Sequence, residues 1–313
     1  MWSYLARRIL IGVPTLWAII TVCFFLMRLT PGGPFDSDAP IPAEILANLR
    51  ARYHLDDPLW RQYLDYLANL LRGDFGPSFK YRDFNVTQLI AQGFPVSLQN
   101  GFAALALAVT VGVPLGIVAA LGQNTRRDYA VSAAAMTGIV IPNFVMGHVL
   151  ILVFAVWLKD TFLALPAGGW DGGAFQNRIL PVFCLALPYI AYLVRITRGS
   201  MIEAMRANYI RTARAKGLPF RTVVLRHALK SALMPVVTFL GPATAFLLTG
   251  SMVVETIFQI PGIGRYFVQG ALNRDYTLVM GVTILSAALV IVMNLVVDLL
   301  YGLLDPKVRY DRH

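Results

Sequence analysis

Six long runs of uncharged, apolar sequence constrain this chain more than any other feature. They cover residues 9–27, a stretch within 84–125 (about 96–121), 129–158, 179–194, 231–254 and 276–297. The fourth is expected to run past Arg195, and the last to run on to Leu304. A bilayer takes about 20 apolar residues of helix per crossing. A backbone placed there must satisfy its own hydrogen bonds. The runs therefore predict an all-α membrane protein with six transmembrane helices. Charged residues agree, at 14% of 313 against about 25% in ordinary soluble domains. Mean hydropathy is +0.61. Pro14, Pro114, Pro142, Pro181, Pro188, Pro235 and Pro242 fall in or near the runs, where neighbouring helices re-satisfy the carbonyls that proline frees. Arg7 and Arg8 precede the first run as they would in a signal peptide. That run is too long, and "RLTPGGP" after it offers no small-residue cleavage site, so it is expected to remain as the first helix.

Charge distribution sets the expected orientation. With the N-terminus inside, cytoplasmic segments hold 16 of the 27 Lys and Arg, nine of them from Arg195 to Lys230. Their only acids are Asp128, Glu203, Asp305 and Asp311, whereas the outer segments balance 11 bases with 12 acids. Both termini are then cytoplasmic by the positive-inside rule. The expected divisions are a first helix (1–30), an external helical loop (31–94), a five-helix core (95–304) containing a cytoplasmic loop at 196–230, and a cytoplasmic tail (305–313). The external loop reads as structured. "PAEILANLRARYHL" spaces Ile45, Leu46, Leu49 and Tyr53 as a helix would. "DDPLWRQYLDYLANLLRGDFG" offers Asp57 as N-cap, Pro58 at the first helical position and Gly73 past the end.

Several chemistries find no support. No phosphate-binding G-x-x-x-x-G-K-[ST] occurs, so ATP should not bind by that route, and "PGIG" at 261–264 reads as an external turn. His54, His148, His227 and His313 are scattered, with no metal-ligand spacing. Cys23 and Cys184 lie in apolar runs and read as buried thiols. Ser251 and His148 lack a nucleophile-loop context, which disfavours a membrane protease. The net charge of +10 follows from topology rather than from nucleic-acid binding. No catalytic residue, metal site or cofactor is therefore expected. Ion-coupled carriers keep ionisable groups near the bilayer midplane; here Arg28 and Glu255 fall at outer ends and Asp298 near an inner end. An uphill transporter of this kind would need its energy from another polypeptide.

The place for such a partner is "NYIRTARAKGLPFRTVVLRHALK", residues 208–230. Ile202, Met205, Tyr209 and Ala213 recur at helical spacing, Gly217 stands as the residue past a helix end, and Pro219 blocks continuation. A second helical pattern, 220–230, leads into the fifth span. Ala213 and Ala215 are small enough for a partner to approach, and Arg211, Arg214 and Lys216 can meet its acidic groups.

"YIRTARAKGLPFRTVVLRHALKSALMP" resembles the cytoplasmic loop of permease subunits of ATP-binding cassette importers, in the oligopeptide and dipeptide branch. On the general pattern E-A-A-x-x-x-G-x(9)-I-x-L-P, Gly217, Ala213 and Leu229 match. Arg211, Thr212, His227 and Lys230 stand for Glu, Ala, Ile and Pro. "YHLDDPLWRQYLDYL", "GDFGPSFKY", "ITRGSMIEAM", "GSMVVETIFQIPGIGRYFVQGALNRDY" and "DLLYGLLDPKVRY" are similar to the same branch, and "GDFGPSFKYRDF" to its B-type oligopeptide subunits. The resemblance implies the type I importer permease fold, a second homologous (C-type) permease subunit, two ATPase subunits that bind ATP and Mg, an external peptide-binding protein and a peptide substrate. It implies that Tyr209, Arg211, Thr212, Ala213, Arg214, Ala215, Lys216 and Gly217 form a coupling helix seated on an ATPase. Pro142, Asn143, Thr249 and Glu255 are expected along the substrate path. Dipeptide, murein-peptide, glutathione and nickel-chelate importers share the loop and stay open as alternatives.

Overall fold

The computed structural model describes residues 2–29, 56–81 and 83–304, and among them every regular element is helical. Five helices are long and apolar enough to cross a membrane, and a bent pair supplies a sixth crossing if counted as one. The expected pattern at 42–55 and the tail at 305–313 lie outside the described residues.

Helix α1 (Trp2–Leu29) is followed by α2 (Leu59–Leu71). Pro58 is the cap of α2 rather than its first helical residue, one position later than expected, and Asp57 makes no cap. Tyr63 of α2 shares a 2.6 Å hydrogen bond with Thr21, and Phe24 packs between Tyr63 and Tyr66. Helix α1 thus meets α2 at one end. At the other, Arg8 pairs with Asp298 at 2.9 Å.

Helix α3 (Val86–Leu121) opens with a capping box: Asn85 accepts from the Thr87 amide, and Gln88 accepts from the Asn85 amide. It runs unbroken through Pro95 and Pro114, so the expected 94/95 division falls inside one helix. Helix α6 (Phe175–Arg206) continues past Arg195 as expected. It lies parallel to α3, because Arg178 bonds the Gln99 carbonyl near both starts while Gly116 meets Thr197 near both ends. A Cβ added to Gly112 would sit 2.8 Å from that of Leu193, and one on Gly116 2.6 Å from that of Thr197. Glycine here lets the two backbones touch, the close approach that drives helix association in lipid.

The third expected span is sharply bent, and the fifth, still one crossing from Met234 to Ile257, is interrupted. The third divides into α4 (Arg126–Val140) and α5 (Asn143–Ile151), bent by 102°. The residue before a proline is pushed out of the helical region, and Ile141 accordingly adopts ψ 118 ahead of Pro142. Helix α5 continues as a π turn, Leu152–Trp157. The fifth span is α8 (Met234–Leu248), which stops at Thr249; Gly250 turns the chain with φ +77. Helix α9 (Met252–Ile257) restarts on Ser251, whose hydroxyl accepts the Val254 amide. Helices α10 (Ile263–Leu272) and α11 (Tyr276–Leu304) complete the chain, the last with the expected bounds.

Three apolar clusters fill the molecule. One joins the starts of α3 and α11 with α10 through Val86, Leu89, Ile263 and Leu278. The central one packs α3 against α6, α8 and α9. The third lies at the opposite end, beneath the segment 208–232.

Candidate functional site

Helix α7 (Asn208–Ala215) is the short helix expected from the spacing. Ala207 is extended (ψ 150) and turns the chain sharply out of α6. Lys216 closes the helix, and Gly217 takes φ +74. The Gly217 amide donates to Arg214 at 2.9 Å and the Leu218 amide to Ala213 at 3.4 Å, the paired bonds of a Schellman stop. No heavy atom approaches within 4 Å of where a Cβ on Gly217 would stand, so backbone conformation alone demands glycine.

One face of α7 is seated inside the protein. Ile210 is fully buried, packing with Met201, Val223, Val224 and Ala228. Ala213 is 6% exposed in the same cluster. This corrects the expectation that Ala213 offers room to a partner: its small side chain instead lets α7 settle on its own core. Tyr209 shares a 2.5 Å hydrogen bond with Ser231. The segment expected as one helix over 220–230 is Phe220–Thr222, a π turn Val223–Ala228, and Leu229–Ala232. The wider turn carries Val223, Val224 and Ala228 all into the cluster, on a narrower arc than α-helical spacing gives.

The other face is open. Arg211, Thr212, Arg214, Ala215, Lys216 and Gly217 are exposed, and Leu218, Phe220 and Arg221 extend the surface. None of these four cations forms an ion pair among the described residues. The arrangement is a rigid basic ridge with apolar tips, suited to an acidic, grooved partner.

A brace that sequence reading missed stands behind the ridge. Arg198 of α6 grips Asp128 of α4 with two bonds of 2.5 and 2.7 Å. Asp128 is 1% exposed and also accepts the Asn124 amide at 2.9 Å. In the sequence Asp128 reads only as an acid beside Arg126 and Arg127; its partner lies 70 positions away. Arg206 adds a 3.2 Å bond to Gln123.

The four residues expected along a substrate path fall at the broken spans. Exposed Pro142 and half-buried Asn143 form the α4–α5 bend, and Thr249 ends α8. Helix α5 packs on α9, where Gly147 lies against Ile257 and Phe258. Glu255 differs from the other three. It is 2% exposed, accepts the Ser97 hydroxyl at 2.6 Å and the Gly264 and Arg265 amides at 2.8 and 3.2 Å. Gly250, Gly262 and Gly264 close around its carboxylate. Glu255 therefore ties the turn at 261–264 to α3, because a carboxylate this enclosed spends its lone pairs on the protein's own donors. Asp275 does similar work nearby, accepting the Ser78 hydroxyl and the Phe79, Lys80 and Leu278 amides. Among the described residues His148 bonds only its own helix, at the Phe144 carbonyl.

Comparison with known proteins adds the following. The family profile described as binding-protein-dependent transport system inner membrane component matches residues 112–310. The oligopeptide transport system permease protein OppB of Salmonella typhimurium is 56% identical over 99% of this chain and 100% of its own length. OppB of Haemophilus influenzae is 52% identical over the same shares. The dipeptide transport system permease protein DppB of Bacillus subtilis is 44% identical over 99% of this chain and 98% of its own. Among solved structures, a chain of the MetNI methionine ABC transporter in inward-facing form superposes with a TM-score of 0.58, covering 70% of this chain and 97% of that one at 17% identity. That likeness concerns the fold alone.

Proposed function

The chain belongs to the family of binding-protein-dependent transport system inner membrane components, and from that premise we propose that it is a permease subunit of an ATP-driven oligopeptide importer. It is a multi-pass inner-membrane protein. The observation that carries the substrate class is full-length identity: OppB relatives match at 52–56%, the DppB relative of Bacillus subtilis at 44%. A dipeptide importer is accordingly the weaker reading.

In this reading the chain catalyses nothing and holds no cofactor. It lines a translocation path with a second, C-type permease subunit. Two ATPase subunits bind ATP and Mg, and an external binding protein delivers the peptide. The ridge of Tyr209, Arg211, Thr212, Arg214, Ala215, Lys216 and Gly217 is the cytoplasmic seat of one ATPase; Ala213 supports that seat from beneath. The support is physical: a Schellman-stopped helix anchored by Ile210 transmits a push that a floppy loop would absorb. Pro142, Asn143 and Thr249 stand where broken helices expose backbone, the usual place for polar path groups in a membrane. Glu255 contributes by holding the adjacent turn.

The deciding experiment is competition for uptake by the reconstituted importer. Tri- to pentapeptides are expected to displace a labelled tetrapeptide with ATP present. If dipeptides alone compete, the substrate is dipeptide; if uptake persists without ATP and collapses with the proton gradient, the importer reading fails.

A further inference from the structure

A groove of about 690 Å³ lies between α3, the π turn after α5 and the start of α6. Its walls include Ala106, Thr110, Leu150, Phe154, Phe175 and Phe183. Helix α5 contributes Leu150 to it, while Gly147 of the same helix meets Ile257 of α9. The lining is apolar except for Thr110 and one charge, Arg178.

Among the described residues no carboxylate neutralises Arg178. Its Nη2 donates to the Gln99 carbonyl at 3.1 Å, its Nε lies 3.4 Å from Asn100 Oδ1, and its guanidinium sits 5.7 Å from the centre of the Trp170 ring. Among the described residues these bonds leave Nη1 without a protein partner. Asn100 beside it is 1% exposed, and its Nδ2 also lacks a partner. Arg178 stands one turn inside the N-terminus of α6, which begins at Ala174 with no side-chain cap. The positive end of the 32-residue helix adds to the potential that attracts an anion there. Arg178 stands where the apolar run of α6 begins, and Phe175 in the groove wall is exposed, which fits the level of a membrane boundary. An unmatched guanidinium at the mouth of an apolar groove, at headgroup depth, fits one class of occupant: an amphiphile with a phosphate at one end and a hydrocarbon chain at the other.

We propose that this groove holds one phospholipid, its phosphate on Arg178 and the start of α6, and an acyl chain between Ala106 and Phe183. A net-anionic headgroup is preferred, because a zwitterionic lipid carries its own amine to compete for the phosphate.

The test uses the assembled importer, delipidated in detergent. Native mass spectrometry and titration then compare phosphatidylglycerol with phosphatidylcholine. Wild type is expected to keep one tightly held phosphatidylglycerol. Arg178→Gln should weaken it about tenfold, the loss of one charge-assisted contact, and Arg178→Lys should fall between. Ala106→Trp, which adds bulk at an exposed position, should weaken both lipids alike; it decides the matter if Arg178→Gln does not assemble. The proposal is overturned if Arg178→Gln or Ala106→Trp binds phosphatidylglycerol within twofold of wild type. It also fails if a substrate oligopeptide displaces the lipid, which would place the groove on the translocation path. Binding by the isolated chain but not by the assembled importer would show that a second permease covers the groove, and would equally sink it.

Discussion

Two positions show how single side chains hold the basic end together. Arg198 and Asp128 form a two-pronged pair in which Asp128 is buried and the Arg198 side chain is 32% exposed. Removing one partner of such a pair leaves the other charge stranded. Arg198→Gln should cost about 3–5 kcal/mol of stability, read as a shift of the unfolding midpoint in mixed detergent micelles. Adding Asp128→Asn should recover part of the loss; full additivity of the two would deny the pairing. Gly217 is governed by conformation alone, since a Cβ there meets nothing. A β-branched residue would pay about 1–2 kcal/mol for the left-handed backbone, whereas Asn tolerates it better. Gly217→Val should therefore lower ATPase co-purification while Gly217→Asn retains it, and equal behaviour would deny the conformational role. Gly217 was readable from sequence because local spacing defines a helix stop. Asp128–Arg198 was not, because only packing of α4 on α6 brings the two together.

Helix existence and order were legible wherever composition alone decides them. Helix α11 begins where its apolar run begins, and α7 occupies its expected place. What composition hides is interruption. The run 129–158 has no charge to mark the bend at Pro142, and other membrane prolines, such as Pro95 and Pro114 in α3, leave their helix continuous. The π turn at 223–228 was equally hidden, since it depends on what Val223, Val224 and Ala228 pack against. Faces were half legible: the cations of α7 point outward as charge requires, but Ala213 is as compatible with a seat as with a docking surface. Reversing charge on the outward face should separate the two roles. Arg211→Glu with Arg214→Glu is expected to leave membrane insertion and thermal unfolding unchanged and to reduce ATPase retention on a pull-down by about tenfold or more. Unchanged retention and unchanged peptide uptake would remove α7 from the interface.

At the scale of the whole molecule the parts differ in compliance. A load applied to α7 enters the α3–α6 pair through Ile210, Met201 and Ala120. Between those helices the backbones touch at Gly112 and Gly116, so no layer of flexible side chains remains to yield, and the pair moves as one stiff lever. Within the membrane crossings, helical hydrogen bonding lapses at Ile141–Pro142 and at Thr249–Ser251, and give is expected there. Each of these hinges leads into a short arm, α5 or α9, and Gly147 presses one arm on the other at Ile257. Because of that contact, a swing of either arm is expected to load its neighbour, so the two hinges should work as a geared pair.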